Sequence, residues 1–453
     1  MKYFIQVFGC QMNRSDAERI GSLFESLGLE KSDKMADADI AVVVMCSVRQ
    51  MATDRVFGLE QKFKEINKTN PDFESILTGC IVENDKEKFS KIFNFILDIK
   101  KLHQWQNILG IKVGDKRDNC GGPTPASLRG LDPRNDSDYF SVLPKQSSRF
   151  SALIPISKGC DNFCTYCVVP YTRGSLESRP ADDILAEVKA AVKNGAKEIW
   201  LLGQNVNNYH FNDIDFAKLL RSVNDISGNF WIRFTSPHPK DFNAAAVNVM
   251  AQCQKVTPYL NLPIQSGDDI ILKAMARPYT VGQYKTLVKK IRAAFKKYRA
   301  GLEKEIAIST DVIVGFPGET KTQFNKTAKT FKTVKYDMAY ISQYSKRAGT
   351  AAALLEDNIL KSEKKWREET INDIVKITAL GHNKKYIGKT VAVLVDSIKN
   401  GFGFGKNRQY KTVKFPIGKN NINIGDIVSV KIAQAQSFGL VGNFAKNEKS
   451  QSR

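Results

Sequence analysis

The sequence predicts an α/β protein of three parts: an open α/β sheet at the N-terminus, a partial (β/α)6 barrel at the centre and a small β-barrel at the C-terminus. Strand-like apolar runs alternate with amphipathic helical runs through the first two parts, as in parallel α/β folds. The last part instead contains short β-rich runs separated by Gly-rich turns. A length of 453 residues is also long for a single core. We place the parts at 1–112, 150–380 and 383–446, with a linker at 113–149 and a polar tail at 447–453.

The N-terminal part is predicted to gather three cysteines at one edge of its sheet. Its strands are Phe4–Phe8, Ile40–Met45 and Ser75–Leu77, and its first helix is Ser15–Leu27, capped by Ser15. Just beyond the ends of these strands lie Cys10, Cys46 and Cys80. Because the carboxyl ends of parallel strands meet at one edge, these thiols can converge as a metal-cluster site. Taken singly, each would be an ordinary buried core cysteine.

The segment 113–149 is predicted to be a linker, because turn formers and charges dominate it. Examples are Gly121-Gly-Pro123 and Asp132-Pro-Arg-Asn-Asp136. We expect no functional role for Cys120, which lies within it.

The central part contains six strand candidates with amphipathic helices such as Asp183–Asn194 and Val281–Arg299 between them. The strands are Ala152–Ser157, Glu198–Gly203, Trp231–Thr235, Tyr259–Ile264, Ile306–Gly315 and Met338–Tyr344. Six β/α repeats predict an open relative of the (β/α)8 barrel. Chemistry in such folds takes place at the carboxyl ends of the strands.

A second group of cysteines follows the first of these strands. Cys160, Cys164 and Cys167 have the spacing C-x3-C-x2-C. Three thiolates so spaced can bind three irons of a 4Fe–4S cubane and leave the fourth iron open to a small molecule, whereas a cluster built for electron transfer has four cysteines. The alternative is a zinc site, but no second cysteine pair or nearby histidine completes one.

The net charge of +21, from 68 Lys and Arg against 47 Asp and Glu, favours a polyanionic partner such as RNA. The C-terminal part carries much of this excess, with 13 basic and 3 acidic residues from Asn383 onward. Its predicted strands are Thr390–Val395, Lys411–Phe415 and Ile427–Ala433, and Phe402, Phe404, Arg408 and Tyr410 place aromatic rings among the charges. That mixture is typical of single-strand RNA surfaces, although a basic structural barrel with core aromatics would look similar.

Composition and the N-terminal sequence also indicate where in the cell the protein is located. The hydrophobic fraction of 42% is that of a folded globular chain, and the apolar runs are too short to cross a bilayer. The N-terminus has no secretory apolar region. We therefore expect a cytoplasmic protein with reduced cysteines and no membrane partner.

Long motifs show a resemblance to a known family over nearly the full chain. Gly159-Cys-Asp-Asn-Phe-Cys-Thr-Tyr-Cys167 resembles the signature of the radical S-adenosylmethionine (SAM) enzymes. Together with the other motifs, the chain resembles the methylthiotransferases, most closely the MiaB-type tRNA enzymes. The other motifs are Phe8-Gly-Cys-Gln-Met-Asn13, Cys46-Ser-Val-Arg-Gln50, Val169-Pro-Tyr-Thr-Arg-Gly174, Leu202-Gly-Gln-Asn-Val-Asn207, Leu262-Pro-Ile-Gln-Ser-Gly267 and Ser309-Thr-Asp-Val-Ile-Val-Gly-Phe-Pro-Gly-Glu-Thr320. The C-terminal barrel resembles a TRAM domain, an RNA-binding module.

The resemblance implies two 4Fe–4S clusters, SAM and specific ligands. Cys160, Cys164 and Cys167 would hold the radical-generating cluster, and Cys10, Cys46 and Cys80 an auxiliary cluster that carries the sulfur to be inserted. SAM contacts would come from Tyr166 (adenine), Gly203 and Gln204 (amino group), Gln265 and Ser266 (ribose), and Gly315, Gly318 and Glu319 (adenine). RNA contacts in the barrel would come from Lys406, Arg408, Tyr410 and Lys411. Arg173 and Arg179 would meet RNA phosphate or a substrate carboxylate, or form surface salt bridges. Cys120 and Cys253 match no cluster position.

The implied reaction converts N6-isopentenyladenosine at position 37 of tRNA to its 2-methylthio derivative. One SAM would donate the methyl group and a second would yield the 5′-deoxyadenosyl radical, since C2 of adenine is an unactivated C–H position. No side chain is expected to act as a catalytic acid or base. An electron donor such as flavodoxin or ferredoxin is implied, and we expect a monomer.

Three alternatives remain open at this point. Within the family, the target could be threonylcarbamoyladenosine at the same tRNA position or an aspartate of a small-subunit ribosomal protein. Ribosomal proteins are mostly basic, so the basic barrel disfavours the latter. A non-catalytic iron–sulfur RNA-binding protein is the alternative from another class.

Two stretches depart from the family pattern. Val44-Met45 stands before Cys46 where the family has Asn-Thr, which predicts different hydrogen bonding around the auxiliary cluster. Ser345-Lys-Arg-Ala-Gly-Thr-Ala351 lacks the family's prolines, which predicts a changed loop without changed chemistry.

Overall fold

The computed structural model describes residues 1–47, 50–111 and 139–445. Its architecture confirms the predicted fold class, with an N-terminal parallel sheet, a central α/β unit and a closed C-terminal barrel. Cys120, most of the predicted linker and the predicted polar tail lie outside the described residues. In the described part of the chain, no helix is long and apolar enough to span a membrane.

The N-terminal unit is a five-stranded parallel sheet in the order β2-β1-β3-β4-β5. Alternate residues of Ile40–Cys46 belong to apolar clusters on opposite faces, which explains the unbroken apolar run of a buried parallel strand. Its strands are β1 (Lys2–Phe8), β2 (Glu30–Lys31), β3 (Ile40–Cys46), β4 (Glu74–Cys80) and β5 (Phe95–Ile96). Its helices are α1 (Gln11–Ser26), α2 (Gln50–Phe57), α3 (Glu60–Thr69), α4 (Glu83–Phe89) and α5 (Trp105–Ile108).

The start of α1 differs from the prediction. Cys10, and not Ser15, is the N-cap residue, and the Asn13 side chain accepts a hydrogen bond from the Cys10 backbone N–H. Ser15 is buried one turn further on, where its hydroxyl donates to the Leu153 carbonyl of the central unit. In the sequence, Ser15 resembles a helix cap because it is a small polar residue near the start of a helix. In the fold it lies on the helix face that packs against the central unit.

The described end of the predicted linker is packed structure. Tyr139 is buried and its hydroxyl donates to Asp16 of α1 at 2.6 Å. Glu18 accepts from the backbone N–H and the hydroxyl of Ser147. Residues 139–147 therefore lie against α1, because its charged residues need partners once they are buried.

The central unit contains six parallel strands in two groups of three, in the orders β12-β9-β6 and β13-β14-β15, with a bridge from Ile232 to Val256 beside β12. The main strands are β6 (Ser151–Pro155), β9 (Glu198–Leu202), β12 (Trp231–Phe234), β13 (Tyr259–Asn261), β14 (Ala307–Val314) and β15 (Met338–Gln343). Short pairs are β7 (Ser157–Lys158) with β8 (Glu177–Ser178) and β10 (His210–Phe211) with β11 (Ile214–Asp215). The helices are α6 (Val169–Arg173), α7 (Ala181–Lys193), α8 (Phe216–Asp225), α9 (Ala244–Gln252), α10 (Asp269–Ala274), α11 (Val281–Tyr298), α12 (Lys321–Val334) and α13 (Lys361–Lys384).

The C-terminal barrel has five strands, two more than predicted. They are β16 (Thr390–Lys399), β17 (Phe402–Asn407), β18 (Thr412–Pro416), β19 (Ile427–Gln436) and β20 (Gly439–Phe444). The sequence of β17 resembles a turn, because it contains Gly403 and Gly405, and the strand was therefore not predicted. A Cβ at Gly403 would lie 2.5 Å from the Phe415 ring, and one at Gly405 would lie 2.1 Å from the Leu394 carbonyl oxygen. Glycine is required there by close packing inside the barrel.

Candidate functional site

The first cysteine group lies at the carboxyl edge of the N-terminal sheet. Cys46 and Cys80 end β3 and β4 and are directly paired in register, and Cys10 follows β1. The structure brings the three thiols together, close enough for the Cys46 side chain to interact with both of the others. These contacts lower the pKa of Cys10 and of Cys80 below the usual thiol value and raise that of Cys46. Low-pKa thiols are the ones that bind metal most readily.

Asn13 and Gly79 shape this edge. The Asn13 side chain accepts from the backbone N–H of Cys10 at 3.2 Å and donates to the Met45 carbonyl at 3.2 Å. Gly79 has a φ of +107°, and a Cβ on it would lie 2.3 Å from that same carbonyl oxygen. Because Asn13 binds the backbone of Met45, this contact does not depend on the Val44-Met45 side chains that depart from the family pattern.

The second cysteine group follows β6, and every one of its thiols receives an N–H. The donors are the Asn162 backbone to Cys160 (3.4 Å), the Val169 backbone to Cys167 (3.5 Å) and the Arg277 guanidinium to Cys164 (3.6 Å). Burial raises the pKa of Cys160 and of Cys167, the latter to about 12. N–H donors to sulfur stabilise the negative charge of a bound thiolate cluster.

Gly159 sets the path of this loop. Its φ is +76°, and a Cβ on it would lie 1.8 Å from the Ser175 carbonyl oxygen. The next residue, Cys160, donates its backbone N–H to the Gly174 carbonyl at 3.1 Å. A glycine at 159 is therefore needed for the loop to close on itself.

Arg173 connects the two cysteine groups across the domain boundary. It lies on α6, just after Cys167, and its Nε donates to the Cys80 sulfur at 3.0 Å. Its two terminal nitrogens donate to the Asp16 carboxylate at 3.2 and 2.5 Å. Arg173 is 4% exposed, so the expected salt bridge forms, but it is buried and not at the surface, and the guanidinium is not open to an RNA phosphate. The same holds for Arg179, which is buried and paired with Glu187 at 2.5 Å.

The expected SAM residues lie at strand ends of the central unit, as their positions in the sequence predict. Gly203 and Gln204 follow β9, Gln265 and Ser266 follow β13, and Gly315, Gly318 and Glu319 follow β14. Gln265 holds a left-handed φ of +66°, which is uncommon outside glycine, and its backbone N–H donates to the Asp311 carbonyl. Their role in SAM contact stays a prediction.

Two of these residues have partners within the protein. Glu319 accepts from the Gly315 backbone N–H at 2.7 Å and from Arg367 of α13 at 2.8 Å, so it holds the loop closed. Tyr166 packs on a small apolar cluster that includes Phe316 from that loop. The contact of Tyr166 with this cluster places the cysteine loop beside the Gly315–Glu319 loop.

Several buried polar atoms at these strand ends have no hydrogen-bond partner within the described residues. Such atoms are rare in folded proteins because each costs free energy unless a ligand, ion or water pairs with it. They follow β6, β9, β12 and β14: Ser157 Oγ, Gln204 Oε1, Asn205 Oδ1, His238 Nε2 and Glu319 Oε1. SAM, which carries amino, carboxylate, hydroxyl and adenine groups, fits such a set of donors and acceptors.

The donors in both cysteine groups are thiols, the ligands that iron–sulfur clusters use. Across residues 1–47, 50–111 and 139–445, no three His, Cys, Asp or Glu side chains are arranged to hold one metal ion. Thiolates that bind a cubane each bind a different iron, so they need not converge on one point. Each donor set has three thiols, with an N–H donor to Cys80 in the first group and to every thiol in the second, and both sets suit an iron–sulfur cubane.

Three of the four expected RNA contacts are instead located between the barrel and the central unit. Lys411 pairs with Asp337 at 2.5 Å, and Arg408 pairs with Glu303 at 2.5 Å. The Tyr410 ring lies against Trp200 and Tyr259. Asp337 and Glu303 lie before β15 and β14, at the amino ends of these strands, whereas Tyr410 packs on a cluster that includes Met12 of α1. Residues far apart in sequence form these contacts, so the basic-aromatic pattern alone could not reveal them.

The outer face of β17 and β18 is the aromatic and basic surface that the structure leaves open. Phe402, Phe404, Lys406 and Lys414 are half-buried and point outward, while the alternate residues fill the barrel. The Lys414 ammonium lies 4.1 Å from the Phe402 ring centroid. At the Lys406 end, a cleft of about 250 Å³ is lined by Gln11 and Arg14, beside Cys10. The alternating Phe-Gly-Phe-Gly-Lys sequence is the signal that identifies this face.

Comparison with known proteins agrees with this geometry. Family models match residues 2–98 (uncharacterized protein family UPF0004), 154–331 (radical SAM superfamily) and 384–444 (TRAM domain). A curated tRNA-2-methylthio-N(6)-dimethylallyladenosine synthase of Dictyoglomus thermophilum is 36% identical over 450 residues, 97% of this chain and 98% of the relative. One of Clostridium botulinum strain Langeland is 36% identical over 454 residues, 97% and 96% of the two chains.

A solved structure supports the fold independently. The radical SAM methyltransferase TsrM from Kitasatospora setae superposes with a TM-score of 0.54 at 12% identity, over 78% of this chain and 74% of that one. At this identity the likeness concerns the fold alone.

Proposed function

Because this chain belongs to the family of tRNA-2-methylthio-N(6)-dimethylallyladenosine synthases, we propose that it attaches a methylthio group to C2 of N6-isopentenyladenosine (the dimethylallyl nucleoside) at position 37 of tRNA. It is a radical SAM enzyme with a TRAM domain. The observation that carries the proposal is the pair of three-cysteine groups joined by Arg173. Two such groups supply one site for radical generation and one for sulfur.

Cys160, Cys164 and Cys167 hold one 4Fe–4S cluster in this proposal, and Cys10, Cys46 and Cys80 hold the other. When bound, the first supplies the electron that cleaves SAM to a deoxyadenosyl radical, and the second carries the sulfur to be transferred. The protein's own contribution is to bind, orient and enclose. Arg173 and Arg277 donate N–H groups to one sulfur in each group, and Cys46, Cys80, Cys160 and Cys164 are buried from water.

The tRNA anticodon loop would contact the outer face of β17 and β18. Phe402 and Phe404 offer rings on which unpaired bases stack, and Lys406 and Lys414 offer charge to the backbone. The cleft next to Gln11 and Arg14 extends this face toward Cys10. A base splayed from the loop at low unstacking cost could then approach the cysteine groups.

Replacing both Phe402 and Phe404 with alanine is expected to raise the Kd for an anticodon stem-loop at least about 30-fold, because each stacked base contributes about 1–3 kcal/mol and two bases about 2 kcal/mol or more. Lys414→Ala should instead reduce the slope of log K against log salt concentration by about 0.7. Fluorescence anisotropy across a salt series measures both.

Lys431→Ala is the matched control for this surface. Lys431 is exposed on β19, so its substitution removes the same charge from another side of the barrel. Equal effects of Lys414→Ala and Lys431→Ala would show that charge acts without regard to the face. Unchanged binding by the double phenylalanine variant would reject the stacking surface.

The alternatives are less well supported. The names of the relatives specify the dimethylallyl nucleoside, not threonylcarbamoyladenosine or a ribosomal protein. The non-catalytic alternative is disfavoured by the match to the radical SAM superfamily. For the reductant we propose a small one-electron protein such as flavodoxin or ferredoxin, and we propose a cytoplasmic monomer, consistent with a tRNA substrate.

Nucleoside mass spectrometry tests the function directly. The chain is expressed in a bacterial strain that lacks its own enzyme of this family and therefore accumulates N6-isopentenyladenosine. Appearance of 2-methylthio-N6-isopentenyladenosine with the wild type, but not with Cys160→Ala, is the expected result. If only the precursor remains while both proteins are folded and iron-loaded, the isopentenyl assignment is wrong, and the threonylcarbamoyl nucleoside is assayed in the same digest.

A further inference from the structure

His238, whose Nε2 is one of the unpaired polar atoms described above, lies at the carboxyl edge of the central sheet and has no role assigned to it so far. It follows β12, is 5% exposed, and is held by both of its backbone groups. Its N–H donates to Asn207 Oδ1 at 2.7 Å, and its carbonyl accepts from Asn207 Nδ2 at 2.9 Å. The ring packs edge-on against Tyr279, with centroids 5.7 Å apart. The position of the imidazole is therefore well determined.

The hydrogen bonds also determine which ring nitrogen carries the proton. The Lys240 backbone N–H donates to His238 Nδ1 at 3.2 Å, so Nδ1 is an acceptor and carries no hydrogen. Burial, with Arg277 and Lys240 nearby, lowers the pKa of His238 to about 2 and keeps the ring neutral. The single proton then sits on Nε2, which is buried and has no acceptor among the described residues.

A buried N–H donor without an acceptor lowers the stability of the fold unless a ligand pairs with it. The surroundings are those of the SAM site, because the Tyr279 hydroxyl accepts from Arg277 at 2.9 Å and Arg277 donates to the Cys164 sulfur. Arg277 also donates to the Pro263 carbonyl at 3.1 Å. The positive charge of Arg277 makes the local potential favourable to an anion, and His238 Nε2–H is a buried donor in this potential with no partner among the described residues.

We infer that His238 Nε2–H donates a hydrogen bond to the carboxylate of SAM and so positions the methionine part of SAM beside Cys164. The inference rests on the proposed function for the identity of the ligand. Among the polar groups of SAM, the carboxylate is the anionic acceptor, whereas the adenine and ribose are neutral and the amino group is a donor. His238 is thus a cofactor-binding residue that lies outside the expected SAM motifs.

Two substitutions at position 238 distinguish the roles of the two ring nitrogens. His238→Asn keeps an acceptor near the Nδ1 position for Lys240 and removes the distal donor, whereas His238→Gln places an amide N–H near the Nε2 position. With cluster-loaded protein and no tRNA, calorimetry is expected to give a Kd for SAM about 10- to 100-fold higher for the Asn variant and within about 3-fold of wild type for the Gln variant.

Decarboxylated SAM is the matched ligand control. Decarboxylation should weaken binding to both proteins, but the loss should be smaller for the Asn variant than for the wild type, by about the factor that separates the two proteins in their affinity for SAM. The electron paramagnetic resonance spectrum of the reduced cluster should change on SAM addition in the wild type and Gln variant at lower SAM concentration than in the Asn variant. If the Asn variant does not fold, His238→Ala serves, since the Asn207 contacts involve the backbone.

Equal affinity of wild type and Asn variant for SAM would overturn the inference, as would a Gln variant as weak as the Asn variant. Loss of affinity for the anticodon stem-loop with unchanged SAM binding would assign Nε2 to the RNA and also overturn it. The proposed function fails differently, by an absence of methylthiolated nucleoside in the wild type, whatever the SAM affinities of these variants are.

Discussion

Cys160→Ala is expected to abolish both 5′-deoxyadenosine release and methylthiolated tRNA, whereas Cys10→Ala should abolish only the methylthiolated product. The two cysteines belong to separate groups at separate sheet edges, and the radical SAM match covers only the second group. Loss of a ligand should reduce the dependent product below about 1% of wild type, since even residues that only support ligands cost 10- to 100-fold. Chromatography of anaerobic reactions with a chemical reductant measures both products.

Cys253→Ala is the control for these substitutions. Cys253 is a buried core cysteine among the apolar residues of the central unit and belongs to neither group. It should retain both products. Deoxyadenosine release by Cys160→Ala, or its loss in Cys10→Ala with the second cluster still loaded, would contradict the division of roles between the two cysteine groups.

Arg173→Met is expected to destabilise the folded protein by about 3–5 kcal/mol, because it leaves the buried Asp16 carboxylate without its charged partner. Asp16 is fully buried, and its remaining hydrogen bond is from Tyr139. The double variant Arg173→Met with Asp16→Leu should recover much of this loss, since an apolar pair needs no charge compensation. Urea unfolding of the apo-protein gives the free energies.

Lys145→Met is the matched control, because Lys145 forms an exposed ion pair with Glu25 of α1. Removing such a pair should cost less than about 1 kcal/mol. The loss of stability for Arg173→Lys should lie between those for Arg173→Met and Lys145→Met. An ammonium keeps the positive charge but cannot donate to Asp16 and Cys80 at the same time with the geometry of a guanidinium. If Arg173→Met lowered the free energy of unfolding no more than Lys145→Met does, Arg173 would not be what holds the two units together.

The local parts of this structure were predictable. The strand at Ile40–Cys46 and the loop Gly159–Cys167 follow from apolar runs, cysteine spacing and glycine within short stretches of chain. The edge position of Cys46 and Cys80 also followed, since parallel strands share an edge. Strands β17 and β20 were missed because their glycines resemble turns until the barrel closes around them.

The sequence by itself therefore determined the three-part α/β architecture, the six cysteines and the family. These are set by patterns that recur within a few residues and by motifs long enough to be specific. Only the tertiary structure showed that Arg173 bonds Asp16, 157 positions away, that Arg408 and Lys411 pair with the central unit, and that His238 keeps an unpaired N–H. Charged side chains look alike in sequence whether they face water or a partner, and their role is decided by what folding brings next to them.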